Sequence, residues 1–321
     1  MKYLTFDDLQ THLQALYQEG NYQAVLDLSI QGISQFPEQE HLLAYWQVCM
    51  AARTEQHPLV YQVLDRLLDQ GFWFSRTLLR SSPSLAGLQG EAEYEQRAAR
   101  SLVLEEQEHH QLYPLLTLRS TGKCNTGGPA CPLMIGLHTN SGTAQDSIDF
   151  WQVAAASGWL VAAPQSSQAL WQGAYVWNDR QICEEEISRH YQALMKQYSI
   201  DPMRVVIAGH SMGGEMAIWL AIQGILPVEG FIAIGPGGPL MEDVENWTAM
   251  LRENAQRKLR GYLIFGQEDK TIPQENIRLL AEILNQAGIP TELEEVPELG
   301  HDFAQEYAES LLRGLNFIDQ N

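Results

Sequence analysis

Residues 204–214 constrain the fold of this chain more than any other stretch. A short apolar run rich in β-branched residues stands there directly before the pattern Gly-x-Ser-x-Gly, and a stretch of helical character, residues 215–220, follows it. β-Branched residues favour a buried strand. The glycines at 209 and 213 fit a strand that turns sharply into a helix, because such a turn leaves no room for side chains and strains the backbone at its tip. The segment therefore predicts a strand–turn–helix unit that exposes Ser211 between buried neighbours.

The region 112–321 repeats this alternation of strand and helix. Its apolar runs predict the strands 115–118, 133–137, 159–163, 205–208, 231–234, 262–265 and 291–296, and its amphipathic stretches predict the helices 148–157, 179–198, 215–222 and 273–287. Such alternation specifies an α/β fold, a mostly parallel sheet with helices on both faces. Ligands of such sheets bind at the carboxyl ends of the strands.

The carboxyl ends of three predicted strands deliver a serine, an acid and a histidine, in the order Ser211, Asp269, His301. A serine hydroxyl is a poor nucleophile at neutral pH, so an imidazole must take its proton and later pass it to the leaving group. A carboxylate must hold that imidazole in the correct tautomer and stabilise its charged form. Glu268 and Asp243 remain alternatives to Asp269 as the acid.

At this point the sequence resembles the α/β-hydrolase superfamily, in particular the esterase branch related to dienelactone hydrolases and carboxylesterase or phospholipase-type enzymes. The resemblance covers about residues 112–321 and rests on three motifs: Gly-His-Ser-Met-Gly-Gly at 209–214, Gly-x-x-Asp at 266–269 followed by Ile-Pro, and Gly-His at 300–301. It implies the α/β-hydrolase fold and a catalytic triad of Ser211, Asp269 and His301.

Acyl transfer also requires hydrogen-bond donors for the oxyanion that forms when the serine attacks. The backbone N–H of Met212 is one expected donor, and the loop after the strand 133–137 is the expected source of the second. Similar enzymes often have His-Gly there, whereas this chain has His138-Thr139. Thr139 and Asn140 both remain candidates through their backbone N–H groups, and the Asn140 side chain is a third. His138 is expected to be a structural residue rather than a second base.

Four residues after the strand 159–163 are candidate substrate contacts: Gln165, Trp171, Tyr175 and Trp177. They follow a strand that ends at the same edge of the sheet, so their side chains are placed to line an acyl or aryl pocket. The alternative is that the aromatic residues pack this loop onto the domain. No glycine-rich phosphate loop and no metal-ligand cluster appears in the sequence, so we expect neither a cofactor nor a metal.

The amino-terminal residues 1–80 have helical periodicity and predict two helical hairpins. The first, around the Gly20-Asn21 break, resembles the second half of a tetratricopeptide repeat; the second comprises residues 41–53 and 58–71. Two hairpins are marginal as a free-standing solenoid, and residues 81–111 are expected to be a connector ending in a helix. The helical region is interpreted either as a cap of the hydrolase domain or as a surface for a protein partner.

Charge and composition limit the class of partner. Forty acidic against twenty basic residues give a formal net charge of −20, which repels nucleic acid and anionic lipid surfaces. The first residues lack the apolar core of a secretion signal, and no apolar run approaches the ~20 residues of a membrane helix, so a cytoplasmic location is expected. In a reducing compartment Cys124 and Cys131 are expected to be free thiols in a surface hairpin.

These features together predict a metal-independent serine hydrolase, most simply a carboxylesterase acting on a small-molecule ester through an acyl-enzyme on Ser211. A thioesterase, a lysophospholipase and a peptidase use the same triad, so they remain alternatives. A further alternative from another class is a helical partner-binding protein with an inactive hydrolase domain. The oligomeric state is not predicted.

Overall fold

Helices build the amino-terminal part of the chain, as the periodicity predicts. The computed structural model describes residues 3–109, 115–118, 124, 128–253, 258–304 and 306–319. The amino-terminal helices are α1 (Phe6–Gln18), α2 (Tyr22–Gln35), α3 (Glu40–Arg53), α4 (His57–Asp69), α5 (Arg76–Ser81) and α6 (Ala92–His109). The pairs α1–α2 and α3–α4 are the two predicted hairpins. Thr5 and Asp8 form a capping box that fixes the start of α1, and Pro37 follows the end of α2.

Helix α6 packs against its neighbours rather than standing free as a connector. Tyr94 and Ala98 are fully buried on one of its faces, and the Tyr94 hydroxyl donates a hydrogen bond to the Leu79 carbonyl. Ser101 on the same face exchanges hydrogen bonds with the backbone of Phe74. The sequence misses this packing because the charged cluster near the carboxyl end of α6 hides a narrow apolar stripe.

The chain divides into two compact units. Unit 1 comprises Met1–Gln111 together with Leu170–Gln172, and unit 2 comprises Leu112–Ala169 and Gly173–Asn321. The short segment 170–172 is joined to unit 1 by a backbone hydrogen bond from Ser75 to Leu170 and by a β-bridge between Phe74 and Trp171.

Unit 2 is built on a seven-stranded sheet with the strand order β1-β3-β2-β6-β7-β8-β9. These strands are β1 (Leu115–Leu118), β2 (Cys131–Leu137), β3 (Leu160–Pro164), β6 (Ile200–His210), β7 (Gly230–Ile234), β8 (Arg260–Gly266) and β9 (Thr291–Val296). Six of them run parallel, and β1 is antiparallel to β3. Two short strands, β4 (Ala169–Trp171) and β5 (Ala174–Tyr175), form a separate ribbon.

Helices cover both faces of the sheet, so two apolar cores lie on either side of it. They are α7 (Ala144–Ala156), α8 (Arg180–Gln197), α9 (Met212–Gln223), α10 (Pro239–Glu242), α11 (Asn246–Glu253), α12 (Gln274–Gln286) and α13 (Tyr307–Ile318). Side chains of α8, α9, α11 and α12 form one core, which we call the α9 core. Side chains of α7 and α13 form the other, which we call the α7–α13 core. Strands β2, β3 and β7 are therefore buried along their whole length, which is why they are continuous apolar runs, whereas β9, which ends the strand order, is partly exposed.

The predicted α/β-hydrolase fold after an all-helical amino-terminal region is confirmed, with local differences. Helix α7 begins at Ala144, four residues before the predicted start, because Thr143 and Asp146 form a capping box there. Strand β1, which the sequence places before β2, pairs with β3 and runs antiparallel to it. Helices α11 and α13 were not predicted.

The expectation that Cys124 and Cys131 are free thiols in a surface hairpin is wrong. The two residues form a disulfide, with Cα atoms 5.3 Å apart, and both side chains are buried in the α9 core. Cys49 and Cys183 are free and buried. Among the described residues, no helix has the length and apolar character needed to cross a membrane.

Candidate active site

Ser211 stands at the sharp turn between β6 and α9. Its φ of 53° and ψ of −122° are rare for a residue with a side chain. Two backbone hydrogen bonds fix this strained residue: its N–H donates to the Ile234 carbonyl, and its carbonyl accepts from the Gly237 N–H. A Cβ on Gly209 would overlap the backbone of Gly213. The turn therefore requires glycine at both positions and holds the Ser211 hydroxyl out of the sheet.

His301 bridges Ser211 and Asp269 through its two ring nitrogens. Its Nε2 lies 2.9 Å from the Ser211 Oγ, and its Nδ1 lies 2.7 Å from the Asp269 Oδ2. The loop after β9 brings His301 back over the sheet, so that its ring lies against Gly235. The structure thus brings together the three side chains that the sequence placed at strand ends.

Asp269 is buried, with 1 % of its side chain exposed, and both of its carboxylate oxygens have hydrogen-bond partners. One oxygen faces His301, and the other accepts hydrogen bonds from the backbone N–H groups of Thr271 and Ile272. Burial by itself raises the pKa of this carboxyl, but the hydrogen bond and charge of His301, with the two N–H groups, hold its pKa below the ordinary value. The carboxylate is therefore ionised at neutral pH and orients the imidazole.

The competing acids lie elsewhere. Glu268 and Asp243 are both exposed, and neither is the carboxylate that contacts the His301 ring. Asp302 is also exposed, and its side chain accepts a hydrogen bond from the Phe303 backbone N–H.

The loop after β2 lies against the first turn of α9. A Cβ on Gly213 would overlap the carbonyl oxygen of His138, which shows how closely the two segments approach. The last pair in the register of β2 and β6 is Leu137 with Gly209, so Thr139 and Ser211 each follow that pair by two residues. Met212 is the first residue of α9, so its N–H has no acceptor within the helix. Asn140 is exposed, one residue farther along.

His138 holds this loop in place as a neutral imidazole. Its Nδ1 lies 2.9 Å from the Thr139 carbonyl oxygen, so this nitrogen carries the proton, and its Nε2 accepts a hydrogen bond from the Ser166 N–H. Its ring stacks on Trp177 at 4.6 Å between centroids. Burial lowers the pKa of His138 to about 4. The residue is therefore structural at neutral pH.

The four predicted substrate contacts are all buried and pack the loops. The Gln165 side chain accepts from the Ala144 N–H, and the Trp177 Nε1 donates to the His138 carbonyl. Tyr175 forms a β-bridge with Gly142. Trp171 belongs to unit 1, where its ring is tilted against His41. At most 6 % of any of these residues is exposed, and a role for them in contacting a substrate stays a prediction.

Sequence reasoning missed the loop after β7 and the acid that holds it. Glu215, in the first turn of α9, is buried and accepts hydrogen bonds from the N–H groups of Leu240 and Met241. Burial raises the pKa of Glu215, while those N–H groups and Arg180 oppose the shift. The sequence signal that could have identified Glu215 is its position as the single carboxylate in an otherwise apolar helix. The loop 235–238 that it secures lies beside Ser211.

His210 lies behind the proposed base. Its ring is 5.0 Å from that of His301 and 4.5 Å from that of Phe303, between centroids. Burial, followed by the nearby His301, lowers the pKa of His210 to about 3. It is thus a neutral packing residue. Within the described part of the chain, no group of three His, Cys, Asp or Glu side chains is arranged to hold a metal.

Comparison with known families places residues 152–316 in a match to the model described as "Dienelactone hydrolase family". This is just over half of the 321 residues. A search of curated proteins found no significant match.

Solved structures share the fold. An uncharacterized protein from Bacillus cereus is 21% identical, and the alignment covers 99% of each chain with a TM-score of 0.53. The structure of esterase PE8 is 20% identical and has a TM-score of 0.52; that match covers 64% of this chain and 99% of the esterase. The first match spans both units, so the helical region and the α/β fold also occur together in another chain.

Proposed function

The chain belongs to the dienelactone hydrolase family, and from that premise we propose that it is a serine hydrolase that cleaves carboxylic esters through an acyl-enzyme on Ser211. The observation that carries the proposal is the chain of hydrogen bonds from Asp269 through His301 to Ser211. A buried, ionised acid, a bridging imidazole and a strained serine are the three parts that activation of an alcohol requires.

In the acylation step His301 Nε2 takes the proton of the Ser211 hydroxyl as Oγ attacks the ester carbonyl carbon. The tetrahedral intermediate carries its negative charge on the former carbonyl oxygen. When it collapses, the bond to the alcohol oxygen breaks, and His301 delivers the proton to that oxygen. The acyl group is then esterified to Ser211.

Water completes the cycle by the same route. His301 takes a proton from the water, whose oxygen attacks the acyl carbon, and returns that proton to the Ser211 Oγ as the acid leaves. Throughout, the Asp269 carboxylate stabilises the protonated imidazole and keeps Nδ1 as the donor, so that Nε2 stays available to the serine.

The backbone N–H groups of Met212 and Thr139 are the proposed oxyanion donors. Support comes from the position of Met212 at the start of α9, where its N–H has no acceptor within the helix, and from the close approach of the loop after β2 to the first turn of α9. Hydrogen bonds from fixed backbone groups stabilise developing charge without reorganisation. The Thr139 side chain is not required for this role, which explains how threonine serves where related enzymes have glycine.

A fluorophosphonate probe tests the nucleophile. We expect labelling of the wild-type protein and of Ser157→Ala, which removes an exposed serine at the end of α7, and no labelling of Ser211→Ala. Failure to label folded wild-type protein would contradict the proposal and favour a partner-binding protein with an inactive domain.

Matched esters, thioesters and amides of one short acyl group then test the bond that is cleaved. We expect kcat/KM to be highest for the oxygen ester. A clear preference for the thioester or the amide would replace the esterase assignment and keep the mechanism.

A further inference from the structure

The loop 235–238 contacts two side chains beside the nucleophile. A Cβ on Gly235 would lie 3.3 Å from the His301 ring, whereas one on Gly237 would contact Ile272. His301 thus lies against Gly235, and Ile272 lies against Gly237. Ile272 is half-buried, so part of its side chain remains available to a substrate.

Ile272 is close to the reacting oxygen. A Cβ on Gly237 would lie 3.0 Å from the Ile272 Cγ1 and 3.7 Å from the Ser211 Oγ. The same point lies 2.3 Å from the Ile272 Cδ1, so this terminal carbon lies no more than 6.0 Å from the Ser211 Oγ, because the two separations from that point, 2.3 Å and 3.7 Å, add to 6.0 Å. The Ile272 backbone N–H is fixed by the same carboxylate that orients His301. Its side chain therefore holds a defined position relative to the proposed triad.

The two sides of the site correspond to the two cores. His301 is backed by His210 and Phe303, and Phe303 packs against the α7–α13 core. Ile272 packs against the α9 core, as does the half-buried side chain of Met212. An ester bound for attack must place its leaving oxygen against the His301 Nε2 and its carbonyl oxygen towards Met212 and Thr139. The remaining substituent, the acyl chain, is then directed away from His301, towards Ile272.

On the basis of the proposed function, we propose that Ile272 limits the acyl group and that the substrates are esters of short carboxylic acids, such as acetyl and propionyl esters. Carbon atoms in contact are about 3.5–4.0 Å apart. The space between the Ser211 Oγ and the Ile272 Cδ1 therefore accepts at most about two chain carbons, the carbonyl carbon and the next, before contact begins. A longer straight chain must bend away or displace the isoleucine.

The test uses the full chain and p-nitrophenyl acetate, butyrate, hexanoate and octanoate, with active enzyme counted by fluorophosphonate labelling. In the wild type we expect kcat/KM to fall at least about tenfold from acetate to hexanoate, since one methylene in an apolar pocket changes discrimination by about 10–200-fold. Ile272→Ala should raise the hexanoate-to-acetate ratio about tenfold or more. Ile272→Val, which keeps the β-branch and is less disruptive to folding, should raise it by a smaller factor.

Leu279→Ala is the matched control, because Leu279 is an apolar residue on the exposed face of α12. It should leave the ratio unchanged. A wild type that prefers hexanoate, or a ratio that neither Ile272 variant changes while labelling is normal, would overturn the role of Ile272 and leave the proposed function standing. Absence of both labelling and hydrolysis would overturn the two together.

Discussion

Ser211 shows at the scale of one residue how backbone geometry serves the site. Its left-handed φ costs of the order of 1–3 kcal/mol for a residue with a side chain, and two backbone hydrogen bonds hold it there. The same turn starts α9 at Met212, so one local distortion exposes the hydroxyl and frees an N–H group beside it. The strained backbone at Ser211 thus produces both features on which the proposed chemistry depends, the exposed hydroxyl and the free N–H group.

Replacing the acid tests the proposed orientation of the imidazole. In Asp269→Asn the side-chain amide presents an N–H to the His301 Nδ1, which favours the tautomer whose Nε2 is protonated and cannot accept from Ser211. We expect kcat for an acetate ester to fall by about 10³–10⁴-fold with the fold intact by circular dichroism. Glu268→Gln, the exposed neighbour, is the control and should retain activity. Equal losses in the two variants would contradict the assignment of the acid.

His138 predicts a specific acid sensitivity. Its pKa is lowered from 6.5 to about 4 by burial, so below about pH 6.5 the unfolded chain binds a proton that the folded chain refuses. The free energy of unfolding should therefore fall as the pH drops from about 6.5 to about 4, with about 3 kcal/mol from this residue. Urea unfolding of His138→Gln between pH 4 and 7 should show a correspondingly weaker pH dependence. His57→Gln, at a partly exposed site, should keep the wild-type dependence, and an unchanged profile in His138→Gln would contradict the argument.

At the scale of the secondary-structure elements, the parts of this protein that could be predicted are those set by local sequence patterns. Local patterns, namely apolar runs, glycines and a proline, predict the succession of strands and helices along the chain. They also predict the three strand ends that carry Ser211, Asp269 and His301. These patterns predicted the helical hairpins, most strands of the sheet and the residues that meet at its edge. The structure places His301 within hydrogen-bond distance of both Ser211 and Asp269.

What the sequence did not predict depends on contacts between distant segments. Nothing local indicates that β1 pairs with β3, that Cys124 lies in the α9 core, or that Trp177 is used to hold His138. The aromatic residues after β3 are compatible with a pocket and with packing, because their role depends on how distant loops fold around them. Ile272 follows the Gly-x-x-Asp motif at 266–269. Its position beside Gly237 and Ser211 could not be predicted, because the three residues lie in separate loops that meet only in the folded protein.

Glu215 joins two elements, α9 and the loop after β7, and its loss should loosen that junction. In Glu215→Ala the N–H groups of Leu240 and Met241 lose their acceptor, which costs about 1–3 kcal/mol for each group left unsatisfied. Relief of a buried charge offsets part of this, so we expect urea unfolding at pH 7 to show a loss of about 2–4 kcal/mol. Glu215→Gln retains an acceptor oxygen and should lose less. Glu242→Ala, on the exposed side of α10, should be neutral, and a neutral Glu215→Ala would refute the anchoring role.

At the scale of the whole molecule, the roles of the helical unit as a cap or as a partner-binding surface remain predictions, as does a cytoplasmic location. The two-unit organisation is not peculiar to this chain, since the Bacillus cereus structure matches along 99% of both chains. The helical unit has its own buried core, including Leu43, Val48 and Leu64. It is therefore a folded part of the protein and not a disordered extension.

The formal charge of −20 should act on any charged substrate as it approaches. A negative field raises the local concentration of cations and lowers that of anions, and salt removes the effect as the Debye length falls from about 10 Å at 0.1 M to about 3 Å at 1 M. For three acetate esters of similar size, kcat/KM should fall severalfold with added salt for a cationic alcohol group and rise for an anionic one. The neutral ester is the control and should change little. The same salt response for all three esters would show that neither the net charge nor the local arrangement of charges around Ser211 determines which substrates reach the site.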